Sequence, residues 1–315
     1  MPLRVVFMGT AELACASLKA LNDSMDFAVL GIVTQPDRPK GRDLKLQPSA
    51  VKTVALQAAL PVWQPERARH PDFLAELAAL RPDVIAVAAY GQILPQAMLD
   101  LPRFGCVNLH TSLLPKYRGA APIQWAILDG EAETGVTIMK MAAGLDTGDI
   151  LARRSIPIKP EDNAATLHDR LAQVGAQLLL PTILAYAAGK ITPQPQLGTA
   201  ATYARKITKE DGRLDWSQSA RALWNRVRAF TPWPGAFTYL SETRGRRLLK
   251  VGGVSLEENR HGAPGEILQA DKTGVVVGCG QGALRLQELQ LEGRRKMSAA
   301  EWLVGHPLTL GAKLG

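Results

Sequence analysis

Residues 3–33, LRVVFMGTAELACASLKALNDSMDFAVLGIV, hold two short apolar runs rich in β-branched residues, Leu3 to Met8 and Phe27 to Val33. Between them lie a Gly9-Thr10 break and an Ala/Leu-rich segment, Glu12 to Leu21, with helical spacing. This reads as strand, turn, helix, strand. The pattern returns downstream, with Ser49 to Leu60 and Phe73 to Leu80 as helices and Asp83 to Ala89 and Val107 to His110 as strands. Strands spaced roughly thirty residues apart with helices between them predict an α/β fold, a Rossmann-like, doubly wound, mostly parallel sheet. Ligands of such sheets sit outside the carboxyl ends of the strands. His110 and the Ala89-Tyr90-Gly91 turn are both at such ends.

The nucleotide signatures of this fold class are missing. G-T-A-E-L-A follows the first strand, with one glycine where a dinucleotide fingerprint needs three, and no G-x-x-x-x-G-K-[ST] occurs. The connection Thr34 to Ser49, TQPDRPKGRDLKLQPS, is long against the roughly 2 to 6 residues usual between α/β elements. Its Arg38, Lys40, Arg42 and Lys45 outnumber Asp37 and Asp43, which leaves an interaction role and a solvated loop both open.

Further on, Ile150 to Ile158 reads as a strand and Ala164 to Gly189 as a long helix. The stretch ITPQPQLGTAATYARK, residues 191–206, has no apolar periodicity and marks a linker. Beyond it Ser219 to Phe230 is helical, and T-P-W-P-G ends it. The rest alternates short strands with Gly-containing turns: Ala236 to Leu240, Arg247 to Val254, Glu266 to Gln269, Val275 to Val277 and Leu284 to Leu291. Five such strands predict a small OB-like β-barrel. The expected organisation is residues 1–189 as the catalytic domain, 190–207 as linker and 208–315 as a basic domain.

Charge divides the same way. Residues 1–189 carry 18 Lys+Arg against 18 Asp+Glu, while residues 190–315 carry 19 against 11, the whole excess of +8. A basic half joined to a neutral half suits a polyanion, nucleic acid first, although a solvated basic face has the same composition. No run of apolar residues is long enough for a membrane span, and the start runs directly into a strand, so a cytoplasmic protein is expected. Cys15, Cys106 and Cys279 are far apart and form no C-x-x-C pair, which suggests buried apolar side chains rather than a disulfide framework or a metal site. Tryptophans 216, 224, 233 and 302 are read first as core and second as platforms for bases.

The chemistry concentrates in residues 105–150. Asn108 and His110 are two apart on one strand and so share a face, and Asp146 lies in the Gly-rich turn G-L-D-T-G-D. An amide, an imidazole and a carboxylate in one cleft suit polarising a carbonyl and moving a proton. Spacing alone leaves a backbone-bonded core histidine and a turn-capping carboxylate open. No nucleophile elbow is present and the other histidines lack metal-ligand spacing, so direct attack by a substrate nucleophile without a metal is expected.

These residues carry a resemblance. N-L-H-T-S-L-L-P-K-Y-R-G-A-A-P-I-Q-W and G-L-D-T-G-D, with F-M-G-T, T-Q-P-D-R-P-K-G-R, A-Y-G-Q-I-L-P and Y-A-R-K-I-T-K-E-D-G-R-L-D-W, are similar to the folate-dependent formyltransferases over essentially the whole chain. The basic loop and the C-terminal domain point to their tRNA-acting branch. The resemblance implies catalysis by Asn108, His110 and Asp146. It implies 10-formyltetrahydrofolate as formyl donor, held by Tyr90, Gly91, Ile93, Leu94, Ser112, Leu113, Leu114 and Pro115. It further implies initiator methionyl-tRNA as acceptor, bound by Arg38, Arg42, Lys45, Lys206 and Lys209, and a monomer without metal or membrane. A small-molecule formyltransferase, a 10-formyltetrahydrofolate hydrolase and a non-enzymatic RNA-binding module are the alternatives. Thr111 departs from the family's H-G-S and places a side chain between His110 and Ser112.

Overall fold

The structure is a computed structural model and describes residues 1–40, 45–242 and 245–315. The chain forms two compact units. One comprises Met1–Pro122, Glu133–Pro157 and His168–Ala204; the other comprises Ile123–Ala132, Ile158–Leu167 and Arg205–Gly315. Residues 190–204 of the expected linker therefore pack within the first unit.

In order, the chain forms β1 (Leu3–Gly9), α1 (Leu13–Asp23), β2 (Phe27–Val33), the antiparallel pair β3 (Arg38–Lys40) and β4 (Lys45–Gln47), α2 (Ala50–Gln57), β5 (Val62–Trp63), α3 (Pro71–Ala79) and β6 (Val84–Ala88). It continues through α4 (Gln96–Leu99), β7 (Cys106–His110), β8 (Arg118–Gly119), α5 (Pro122–Leu128), β9 (Glu133–Lys140), β10 (Ile150–Pro157), α6 (Ala164–Ala187) and β11 (Tyr203–Ala204). Seven strands make one sheet in the order β10-β9-β7-β6-β1-β2-β5. Strands β5, β2, β1, β6 and β7 pair in parallel, whereas β9 runs antiparallel to β7 and β10 antiparallel to β9. The sheet is thus doubly wound and mostly parallel, and its order reverses between β1 and β6.

That reversal is tied shut. The Thr10 N–H donates to the Ala89 carbonyl at 3.2 Å, and the Thr10 hydroxyl and Gln35 Nε2 both donate to the Tyr90 carbonyl, at 2.8 and 2.9 Å. A Cβ at Gly9 would stand 2.8 Å from the Ala14 Cβ and 3.0 Å from the Ala88 carbonyl oxygen. The lone glycine at the end of β1 therefore serves close strand–helix packing. One sheet face buries Val6, Met8, Ile85, Val87 and Cys106 against Phe73, Leu77, Leu94 and Met98. On β7, a Cβ at Gly175 of α6 would lie 2.5 Å from Leu109 Cδ1, so helix and strand meet without room for a side chain.

The second unit adds α7 (Ala220–Ala229), β12 (Ala236–Glu242), β13 (Gly245–Val251), β14 (Val254–Glu257), β15 (Ile267–Asp271), β16 (Gly274–Gly278), β17 (Ala283–Leu286), β18 (Glu288–Leu291), β19 (Met297–Ser298) and α8 (Ala299–Gly305). They form the antiparallel sheets β12-β13-β18-β19 and β14-β17-β16-β15. The five expected strands are present, but two of them bend: one breaks at Gly252-Gly253 and the other at Gln287. The pairing survives the bends, with the Gly252 N–H on the Glu288 carbonyl at 2.9 Å and the Gln287 N–H on the Gly253 carbonyl at 2.8 Å. One antiparallel ribbon thus passes from sheet to sheet, the arrangement of a small OB-like barrel. Leu314 bridges to Leu240 and Lys313 to Glu266, joining the remaining edges.

Trp216 and Trp302 are core residues, while Trp224 packs beside them under the Arg228 guanidinium, 4.0 Å from the ring centre. Trp233 is 53% exposed. Helix α8 was not anticipated, although its Ser298/Glu301 capping box is spelled out as S-A-A-E. Among the described residues no helix is long and apolar enough to cross a membrane.

Cys106 and Cys279 are buried and Cys15 is partly exposed. Burial, helped by the Asp100 charge, pushes the Cys106 thiol up to about 12, and burial alone pushes Cys279 up to about 11. Neither thiolate is populated at neutral pH. At pH 8 iodoacetamide is expected to modify Cys15 alone, slowly, and all three cysteines after denaturation; peptide mass mapping reads the outcome. Gly175→Val is expected to cost about 1–3 kcal/mol by overpacking against Leu109, read as a lower urea midpoint at unchanged m-value.

Candidate active site

Strand β7 carries the first two candidates. Asn108 pairs in register with Val87 on one side and Met139 on the other, and His110 pairs with Thr137. Both are buried, at 9% and 7% exposure. The Asn108 amide makes no side-chain hydrogen bond among the described residues, yet its polar atoms are not sealed from solvent. An amide whose donors meet no side-chain or carbonyl partner and still reach solvent is available to a ligand.

His110 is held from two sides. Its Nε2 donates to the Tyr117 carbonyl at 2.9 Å, and its Nδ1 stands 3.7 Å from Asp146 Oδ2. The second distance is too long for a hydrogen bond. Asp146 Oδ2 accepts from the Gly119 N–H at 2.8 Å. The Asp146 backbone is left-handed, with φ 48°, a conformation that costs a non-glycine residue on the order of 1–2 kcal/mol. The three candidates from residues 105–150 are therefore brought together, and the loop after β7 braces two of them.

That loop is itself pinned by residues 194–204, where sequence reasoning expected only a linker. Gln196 Nε2 donates to the Asp146 carbonyl at 2.8 Å and the Gly148 carbonyl at 2.7 Å, while its Oε1 accepts from Arg118 Nε at 3.1 Å and Nη2 at 2.7 Å. The Thr202 hydroxyl accepts from the Tyr117 N–H at 2.8 Å, and the Thr202 carbonyl from the Arg118 N–H at 2.9 Å. Strands β8 and β11 then pair Arg118 with Tyr203 and Gly119 with Ala204. Gln194 and Ile150 exchange both backbone hydrogen bonds. Polar residues with backbone partners leave no periodic signal, and nothing in ITPQPQLGTAATYARK singled out Gln196.

The expected folate positions divide by exposure. Tyr90, Leu94, Ser112 and Leu114 have buried side chains, and the Ser112 hydroxyl is spent on the Lys116 carbonyl at 2.6 Å. The Tyr90 hydroxyl is buried without a partner among the described residues, and burial pushes it up to about 12. Gly91, at φ 85°, and Ile93, 88% exposed, offer surface, and Leu113 and Pro115 are half-buried. Thr111 is buried, at 8% exposure. Of the expected tRNA contacts, Arg38 is exposed 3.8 Å from Glu66, Lys45 is exposed on β4, and Lys206 and Lys209 are exposed in the second unit. Arg42 lies outside the described residues. Among those residues no group of three or more His, Cys, Asp or Glu is placed to hold a metal ion.

Comparison with known proteins follows the same division. Residues 3–183 match the family described as formyl transferase, and residues 206–307 match its C-terminal domain. The methionyl-tRNA formyltransferase of Geobacter sulfurreducens is 48% identical over 313 residues, 99% of this chain and 97% of that protein. That of Thiobacillus denitrificans is 51% identical over 313 residues, 99% of this chain and 100% of that protein. Among solved structures, HypX from Aquifex aeolicus in complex with tetrahydrofolic acid superposes with a TM-score of 0.64 at 20% identity, over 96% of this chain and 47% of that longer one, a likeness of fold. The chain belongs to the formyl transferase family, among the methionyl-tRNA formyltransferases.

Proposed function

We propose that the protein transfers a formyl group from 10-formyltetrahydrofolate to the α-amino group of initiator methionyl-tRNA. The observation that carries this reading is the uncommitted Asn108 amide on the same strand face as His110, which is itself fixed between the Tyr117 carbonyl and Asp146. Full-length identity of 48% to a methionyl-tRNA formyltransferase supports the acceptor, and the tetrahydrofolate-bound fold relative supports the donor.

The acceptor amine supplies the nucleophile. With a reference pKa of about 7.7–8.0, a substantial fraction is free base near neutrality. Its nitrogen forms a bond to the formyl carbon and the formyl oxygen becomes an oxyanion. Asn108 donates to that oxyanion, and His110, oriented by Asp146, adds electrostatic stabilisation. The His110–Asp146 pair relays the proton shed by the amine. The bond from the formyl carbon to N10 then breaks, N10 takes up a proton, and formylmethionyl-tRNA and tetrahydrofolate leave.

The donor fits beside this trio at the surface offered by Gly91, Ile93, Leu113 and Pro115, with the neighbouring Tyr90, Leu94, Ser112 and Leu114 shaping its floor. Arg42 serves recognition of the substrate tRNA, while Arg38 and Lys45, and separately Lys206, Lys209 and the basic second unit, hold tRNA phosphates. In this reading the protein is a cytoplasmic monomer.

In an assay with 10-formyltetrahydrofolate and charged tRNA, Asn108→Ala is expected to lower turnover about 100- to 1000-fold. Turnover at the parental rate would remove Asn108 from the mechanism. Product is expected from initiator and not from elongator methionyl-tRNA; product from neither would sink the proposed function. Lys206→Ala and Lys209→Ala are each expected to raise KM for tRNA alike across tRNA sequences and to flatten the log–log salt dependence by about one unit per lost phosphate contact.

A further inference from the structure

We infer that Gln196 is a positioning residue for the reaction, setting the orientation of Asp146 toward His110 from a segment that reads as a linker. The inference rests on the function proposed above for what is positioned, and on the local geometry for the positioning itself.

The side-chain amide of Gln196 has its full complement of partners, and their chemistry fixes which way round it sits. Arg118 is buried and can only donate, so the oxygen of the amide must face its guanidinium. The nitrogen must then face the carbonyls of Asp146 and Gly148, which can only accept. The amide therefore cannot flip without placing donor against donor and acceptor against acceptor.

One of the two carbonyls it holds is that of the residue that needs holding, and the other lies two residues on. Asp146 is left-handed at φ 48°, and such a backbone persists only where its surroundings over-determine it. On the far side of the turn, a Cβ at Gly148 would stand 1.7 Å from the Lys140 carbonyl oxygen, so the turn already presses on β9 and has no slack there. Gln196 adds a second restraint through the Asp146 and Gly148 carbonyls. The same segment fixes the other half of the pair: Thr202 and Ala204 hold Tyr117, Arg118 and Gly119, whose carbonyl and N–H engage His110 and Asp146. Arg118 closes the circuit, because its backbone pairs with β11 and its side chain orients Gln196.

The role predicts a loss in turnover rather than in binding. Gln196→Met keeps the length and removes every hydrogen bond. Gln196→Glu keeps the acceptor for Arg118 and turns a carboxylate oxygen on the two carbonyls, so it tests the donors specifically in a side chain of nearly the same shape. Gln194→Ala is the control, because its exposed side chain bonds, among the described residues, only the Thr192 carbonyl. Both Gln196 variants are expected to lose about 10- to 100-fold in kcat, with KM for folate and tRNA changed by no more than about two-fold. The ¹⁵N signals of the His110 ring, one of 5 histidines, assigned by their loss in His110→Asn, are expected to move while the other four stay. The control is expected to leave kcat and all five sets of signals unchanged.

Unchanged kcat in both variants, a rise in KM without loss of kcat, or His110 signals that stay in place would each overturn the inference. If one variant does not fold by circular dichroism, the other decides. If the parent protein transfers no formyl group, the proposed function falls, and the His110 signals alone then decide whether Gln196 positions the pair.

Discussion

The carboxylate of Asp146 does two things at once: it caps the Gly119 N–H and it faces the His110 ring. Residue 146 does both from a left-handed backbone, a conformation that persists only where its surroundings over-determine it. The hairpin β9–β10 delivers the turn. Gly148 lets that turn lie against the Lys140 carbonyl, and Gln196 fastens the carbonyls of Asp146 and Gly148. The doubly wound sheet contributes β7, whose period-two geometry sets Asn108 and His110 on one face. A packed sheet with Gly175 of α6 against Leu109 gives that strand little freedom to shift.

Spacing alone left two plain roles open, a core histidine bonded to backbone and a turn-capping carboxylate. Both are present. His110 does bond a backbone carbonyl, and Asp146 does cap a backbone N–H. What separates this arrangement from two unrelated structural residues is that the carbonyl belongs to Tyr117 and the N–H to Gly119, two residues apart in one loop. The structural contacts are the means by which the pair is aligned, so the plain and the chemical readings describe the same hydrogen bonds.

The sequence was legible where burial imposes a period. Strands β1, β2, β6 and β7 and helices α2, α3, α6 and α7 lie within a few residues of their expected spans, because alternating or helical apolar positions face a core. The meeting of Asn108, His110 and Asp146 was legible through motif resemblance, since the 36 residues from His110 to Asp146 carry no periodic relation. The bends at Gly252-Gly253 and Gln287 were hidden because a bent strand keeps its alternation. Gln196 was hidden for a stronger reason: its partners are carbonyls 50 and 48 residues away, and a backbone carbonyl has the same chemistry at every position. The stretch around it lacks apolar periodicity because it is held by polar contacts, and that absence was what made it read as a linker.

The placement of that stretch also settles how the chemistry and the charge are divided. Asn108, His110, Tyr117, Arg118, Gly119, Asp146, Gly148, Gln196, Thr202 and Ala204 all belong to the first unit, whereas the excess of positive charge is carried by residues 190–315, most of them in the second. The geometry of the candidate trio is therefore complete without any residue of the basic unit. The boundary falls between Ala204 and Arg205. Ala204 pairs with Gly119 and so with the carboxylate of Asp146, while Arg205 pairs with Asp211, whose carboxyl it holds well below the usual range. Each side of the junction is anchored in its own unit by its own bonds. In the function proposed above, the basic unit contributes affinity for a polyanion, a term that depends on charge and salt and not on sub-ångström placement.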